Sequence, residues 1–191
     1  MIRTPTLLLL FTGLVSSQAS ASILTFTDTM FGSSETPPNG SSASGSATVV
    51  IDTVANTLSV TESFFGLTGG VASGAHIHCC AAAGTAAIIA LPFPSFPSAT
   101  AGTYTMNFDL TLASTYNAAF VTFAGGTAAL AETSLITNME AGLAYTNIHD
   151  ANFPGGEIRG QLAQVATVPE PTTFALGGAA LLLLGLRRRQ R

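Results

Sequence analysis

Apolar side chains recur at every second position in short runs along the middle of this chain, and clusters of glycine, proline, serine and asparagine separate the runs. Such alternation buries one face of a strand and wets the other, so it predicts antiparallel β structure. Ile23 to Thr27 alternates, and after the turn-forming Thr36-Pro37-Pro38-Asn39-Gly40 a run from Gly45 to Ile51 sets Ala47, Val49 and Ile51 on one face. Asp52 to Asn56 reads as a hairpin connection, beyond which Leu58, Val60 and Glu62 continue the alternation. Further strands are expected at Ala75 to His78, Ile88 to Leu91, Thr103 to Leu110, Ala118 to Phe123, Leu143 to Ile148 and Gly156 to Ala163. Pro92, Pro94 and Pro97 cannot pair inside a sheet, so that segment should cross the surface or an edge. One helix is expected, from Thr127 to Ala141, where Ala129, Leu130, Leu135, Ile136 and Met139 fall at roughly helical spacing and Gly142 supplies a C-terminal cap. The fold class is therefore mainly β: an antiparallel Greek-key β-sandwich or flattened barrel with one helix late in the domain.

Both ends of the chain read as processing segments rather than fold. Met1 to Ala21 carries Arg3, an apolar Leu7-Leu8-Leu9-Leu10-Phe11 and a small-residue finish at Ala19-Ser20-Ala21, the layout of a secretory signal peptide cut after Ala21 and handled by Sec export. The other end runs Pro169-Glu170-Pro171, then an apolar stretch from Phe174 to Leu186, then Arg187-Arg188-Arg189-Gln190-Arg191. At about 1.5 Å per residue the apolar stretch covers roughly 20 Å of a hydrocarbon layer nearer 30 Å, and the two prolines stop the helix from extending upstream. It is a marginal anchor, held with its arginines on the cytoplasmic side. This ordered arrangement resembles the PEP-CTERM sorting signal of Gram-negative bacteria, which implies removal by an exosortase-type transpeptidase near the Pro-Glu-Pro. It also implies a transient stay in the inner membrane, followed by the cell surface, outer envelope or extracellular matrix.

Taking the ends away changes the charge. Arg159 is then the only strongly basic side chain from Ser22 to Val168, set against nine carboxylates (Asp28, Glu35, Asp52, Glu62, Asp109, Glu132, Glu140, Asp150 and Glu157), a net charge of −8. Nucleic acid is excluded as a partner, since phosphate binding needs clustered cations. No stretch has the dense Asp/Asn/Gly spacing of a calcium loop, no glycine-rich strand-to-helix turn could cradle phosphate, and no serine lies in a Gly-x-Ser-x-Gly elbow.

Two motifs carry a second resemblance. Ser73-Gly74-Ala75-His76-Ile77-His78, following Phe65-Gly66-Leu67-Thr68, and Ala141-Gly142-Leu143-Ala144-Tyr145-Thr146-Asn147-Ile148-His149, followed by Phe153-Pro154-Gly155-Gly156-Glu157-Ile158-Arg159-Gly160-Gln161-Leu162, resemble the CHRD domain, named for chordin. Gly32-Ser33-Ser34-Glu35-Thr36-Pro37-Pro38 resembles that family's opening, whereas Cys79-Cys80 departs from the glycine-rich residues expected after the histidine pair. The organisation expected is thus a signal peptide at 1–21, a CHRD domain at 22–163, a linker at 164–168 and the sorting signal at 169–191. The family's suggested adhesive or ligand-binding role implies a non-catalytic module.

His76 and His78 stand two apart on one strand, so both face the same way, and His149 sits on another strand. Three converging imidazoles would suit a mononuclear Cu or Zn site with an open position; otherwise their nitrogens are satisfied by backbone carbonyls, Asp150 or Glu157. The His-x-His strand is also similar to the copper strand of Cu/Zn superoxide dismutases, but no further histidine remains for a bridge or a zinc site, so dismutase chemistry is not expected. Cys79 and Cys80 have three readings: a vicinal disulfide, intermolecular bridges, or soft ligands beside His78. Arg159 is expected to pair with a carboxylate, Glu157 or one across the sheet. Two functions follow. One is a non-catalytic surface or exopolysaccharide-matrix module that binds a protein or glycan and needs no cofactor; the other is a small extracytoplasmic metalloprotein on His76, His78 and His149.

Overall fold

The computed structural model describes residues 23–166, so the expected signal peptide with Ala19 and Ala21, and the tail with Pro169, Glu170, Pro171, Arg187, Arg188 and Arg189, lie outside the described residues. Nine strands form one antiparallel sheet: β1 (Ile23–Phe31), β2 (Ser44–Asp52), β3 (Thr57–Phe65), β4 (Gly74–Cys79), β5 (Ile88–Pro92), β6 (Gly102–Asp109), β7 (Ala144–His149), β8 (Ile158–Gln161) and β9 (Ala163–Gln164). They lie in the order β5-β4-β7-β8-β1-β2-β3-β6, with β9 also paired to β1. The sheet curls into a half-barrel, so the flattened-barrel form of the expectation holds.

The β1-β2-β3 meander is the longest paired region, running from Ile23↔Asp52 to Phe31↔Ser44 and from Asp52↔Thr57 to Ser44↔Phe65. Its second turn is held by Asp52, whose Oδ1 accepts from the backbone of Val54 and Ala55, both at 2.9 Å. Alternation puts Phe26, Met30, Val49, Ile51, Leu58 and Val60 on the concave side, where each is fully buried. Each such side chain adds roughly 1.5–3 kcal/mol by leaving water. The two edge strands approach without pairing to each other. Phe93, just past β5, stacks at 5.3 Å on Tyr104 of β6, and the Tyr104 hydroxyl donates to Pro94 O at 3.0 Å. The proline-rich segment therefore closes the barrel along its seam, an edge position as its missing N–H groups require.

Two helices are present where one was expected. Ala118–Ala124 is a helix, α1, and α2 spans Ala128–Glu140. The run from Ala118 to Phe123 was expected as a strand because it is short and apolar, but it is bracketed by helix signals. Asn117 accepts from Ala119 N at 2.9 Å at the start, and Gly125, at φ 115°, takes the left-handed position at the end. Fully buried Phe120 anchors α1, while Ala131, Leu135 and Met139 form one buried stripe on α2. Thr127 caps α2 through Leu130 N at 3.2 Å, and Gly142 (φ 70°) ends it as expected. Among the described residues no single helix is long and apolar enough to cross a membrane. The expected linker starts docked, since Gln164 pairs with β1 and Val165 N donates to Thr25 O at 2.8 Å.

Candidate functional site

The convex face of β4, β7 and β8 is polar and covered by loops, an unusual place for so many buried hydrogen-bonding groups. Register explains which residues meet there: His76 lies opposite Asn147, His78 opposite Tyr145, and Asn147 and Tyr145 oppose Arg159 and Gln161 on the other side. The loop after β1 covers this face, pinned by Asn39 Nδ2, which donates to Gly156 O at 3.3 Å and Glu157 O at 3.0 Å. Gly156 has φ 127°, and a Cβ there would run into the Glu35 carboxyl and the Asn147 amide, so only glycine lets the chain pass so close.

The three histidines converge. Ring centroids are 5.7 Å apart for His76 and His78, 5.0 Å for His76 and His149, and 6.2 Å for His78 and His149. One ring nitrogen from each lies within 4.8 Å of the other two. His78 Nδ1 bonds Ala87 O at 2.8 Å and His149 Nδ1 bonds Pro154 O at 2.9 Å, which orients both rings. Backbone carbonyls thus satisfy one nitrogen on each of these two, and neither Asp150 nor Glu157 hydrogen-bonds any of the three. His76 Nδ1 and His78 Nε2 are buried with no hydrogen-bond partner. Burial, with the neighbouring His149 and His78, pushes His76 down to about 4. Burial also takes His78 down to about 4, against the raising effect of its bond to Ala87 O, and lowers His149 against its bond to Pro154 O. At neutral pH these are uncharged imidazoles, with lone pairs available to a cation.

Tyr145 is the layer between this cluster and Arg159. Its ring lies parallel to His78, 4.7 Å between centroids and 2° between planes, and Arg159 Cζ sits 3.3 Å from the other face. Arg159 is 2% exposed, yet among the described residues the carboxylate partner expected for it is not within ion-pair distance. Its guanidinium instead donates to Thr36 Oγ1 at 3.2 Å and Thr85 O at 2.9 Å. Glu157 is taken by other donors. Ser41 Oγ at 2.5 Å, Thr68 N at 2.7 Å and Thr68 Oγ1 at 2.7 Å all bond its Oε1. Burial would raise Glu157, but hydrogen bonds from Asp150, Ser41 and Thr68 outweigh it and bring the carboxyl down to about 2, while burial and the bond to Glu157 raise Asp150. The carboxyl nearest in effect to Arg159 is Glu35, raised by burial and partly offset by the Thr36 N–H and the arginine charge. Glu35, Thr36, Pro38, Gly84, Arg159 and Gln161 line a cavity of about 310 Å³ on this face. A second cavity, of about 510 Å³, follows the seam between β5 and β6 and has His76 in its wall.

Cys79 and Cys80 are joined by a disulfide. Alternation along β4 turns Cys79 away from His78 into the apolar core, where it is fully buried. The soft-ligand reading, and with it Cys79 as a neighbour of the metal site, is therefore corrected. Sequence reasoning passed over Tyr145 and Asn147. The period of two that placed His149 places both of them on the same face, so the signal was present in the motif.

Residues 26–162 match the CHRD domain. The chain belongs to the CHRD family. Residues 167–189 match the PEP-CTERM protein-sorting motif. No curated protein and no solved structure matches the chain. This CHRD protein is therefore exported, processed by an exosortase, and delivered through the membrane to the cell surface or extracellular space.

Proposed function

We propose that this CHRD protein is a non-catalytic binding or structural module of the cell surface or of the exopolysaccharide-associated extracellular matrix, with a protein or glycan partner. The observation that carries it is the order of parts: one CHRD domain of net charge −8, followed directly by a sorting motif. The absence of lysine, with the one arginine from Ser22 to Val168 buried, supports a module at the cell exterior that is not held by charge to an anionic membrane. Top-down mass spectrometry of the protein recovered from cells and medium tests the route. A C-terminus near Pro169 to Pro171 is the expected result, and an intact Arg191 on the extracellular protein overturns it. Recovery of the protein with the exopolysaccharide fraction, lost when that polymer is digested, tests the matrix role.

A second reading is favoured by the convergence of three neutral imidazoles with two unpartnered buried nitrogens. In it the protein is a small mononuclear Cu or Zn protein of the same location. Metal content of the purified, tag-free protein separates the two readings.

A further inference from the structure

We infer that the histidine cluster is a Cu(II) site with a fourth ligand, the side-chain oxygen of Asn147, in a tetragonal arrangement of three nitrogens and one oxygen. This rests on the metalloprotein reading and adds to it a fourth donor, a geometry and an ion.

Two hydrogen-bond acceptors compete for one proton of His149. His149 Nδ1 faces Pro154 O at 2.9 Å, and its Nε2 faces Asn147 Oδ1 at 3.0 Å. Both neighbours are acceptors, but a neutral imidazole has one proton to give. With the proton on Nδ1, toward the carbonyl, the Nε2 lone pair points at the lone pairs of Oδ1. Asn147 is 2% exposed, so water does not relieve the contact. A cation lying between the two atoms does, because both become ligands.

Asn147 is also placed centrally. It lies directly across from His76 in the β4-β7 register and two residues before His149, so its side chain emerges on the face that carries all three rings. The free nitrogens beside it are His76 Nδ1 and His78 Nε2. His78 and His149 are each already held by a carbonyl on the remaining nitrogen, from Ala87 and Pro154 respectively. This is the outer-shell arrangement that fixes tautomer and orientation in metal-ligating histidines. The Arg159-Tyr145 stack then pins the plane of His78 from the side.

The mixed nitrogen and oxygen donor set and one short spacing point to the ion. With bonds of about 2.05 Å, a tetrahedral Zn site needs every pair of ligand atoms roughly 3.3 Å apart, whereas a square-planar or tetragonal Cu(II) site needs cis pairs near 2.9 Å and trans pairs near 4.1 Å. The Asn147 Oδ1 to His149 Nε2 distance of 3.0 Å is a cis spacing. The Irving–Williams order favours the same ion.

The test uses the mature protein, purified without a histidine tag and freed of metal, and titrated separately with Cu(II) and with Zn(II) against a competing chelator. One equivalent of Cu(II) is expected, with the electron paramagnetic resonance pattern of three coordinated nitrogens and an affinity above that for Zn(II). His149→Ala should abolish stoichiometric binding. Asn147→Leu should weaken Cu(II) by about 10–100-fold, while Asn147→Asp, which keeps the shape and adds charge, should bind more tightly and shift the Cu(II) spectrum. Absence of stoichiometric binding, or binding that survives in His149→Ala, overturns the metalloprotein reading altogether. Three-nitrogen copper that neither Asn147 variant alters overturns only the fourth ligand, and Zn(II) bound as tightly as Cu(II) overturns the tetragonal copper assignment. If Asn147→Leu does not fold by circular dichroism, the Asn147→Asp comparison decides the matter alone.

Discussion

In the CHRD domain two carboxyls inside the barrel hold protons that the unfolded chain releases, so they withdraw stability as pH rises, and the net loss should appear above about pH 6.5, where the buried histidines no longer offset it. Register aligns Asp28, Ala47, Glu62 and Tyr104 in one row across β1, β2, β3 and β6. Glu62 is fully buried and neither of its oxygens has a hydrogen-bond partner. Burial, then the nearby Asp28, pushes it well above the usual carboxyl range. Asp28 is pushed up to about 7 by burial, in spite of accepting from Thr146 Oγ1 at 2.5 Å and Ala47 N at 2.9 Å. Both folded-state values lie above the unfolded ones, so the contribution is complete below about pH 4 and is lost as pH climbs toward the folded value. Each retained proton costs about 1.36 kcal/mol per pH unit. Over the roughly three units between 3.8 and about 7, Asp28 alone removes about 4 kcal/mol, and Glu62 adds a slope of the same size. Against a typical domain stability of about 5–15 kcal/mol, that is a large fraction. Glu157 acts oppositely: held near 2, it withdraws stability only as pH falls below about 4.5. The histidines also act oppositely: with their folded values lowered, the unfolded chain binds protons first between about pH 6.5 and 4, which offsets the carboxyl slope, so the profile should be broad from about pH 4.5 to 6.5 and fall above it. Urea unfolding with the disulfide intact, at a series of pH values, measures the slope. Asp28→Asn keeps both of its hydrogen-bond partners and, with Glu62→Gln, should remove the carboxyl slope, so that the double variant gains on the wild type steadily as pH rises from about 5 to 7. A stability difference between the double variant and the wild type that stays constant from about pH 5 to 7 refutes the reasoning.

Three further outcomes are expected. Phe120→Ala removes the fully buried anchor of α1 and should cost about 3–5 kcal/mol in urea unfolding; a loss under about 1 kcal/mol would show that the helix is not part of the cooperative core. Arg159→Lys keeps the charge but loses the planar fork that stacks on Tyr145 and reaches both Thr36 and Thr85. It should cost about 1–3 kcal/mol and change the tyrosine near-ultraviolet circular dichroism, and an unchanged spectrum would sink the stacked assignment. Intact mass should rise by about 2 Da on reduction, and a disulfide-linked dimer would instead mean that Cys79 and Cys80 bridge between chains.

Local periodicity and termini determined a good deal of this protein without any tertiary information. Alternation at period two placed the strands and set His76 and His78 on one face, because a strand's side-chain directions depend only on its own backbone. The tail and the two histidine-containing motifs pointed to the family and the export route, since a sorting signal works as a linear segment read by an enzyme. Where the reading went astray, the answer depended on neighbours. The short apolar run of α1 has no strong period of its own, and its caps, Asn117 and Gly125, decide it. Arg159 was expected to find a carboxylate, but sequence distance does not say who lies across a sheet; the register opposes it to Asn147 and stacks it on Tyr145, while Ser41, Thr68 and Gly69 claim Glu157. Whether three histidines meet, and that Asn147 stands among them, is a property of the pairing of β4 with β7. These strands are separated by over sixty residues, and only their pairing as neighbours in the folded sheet brings them together.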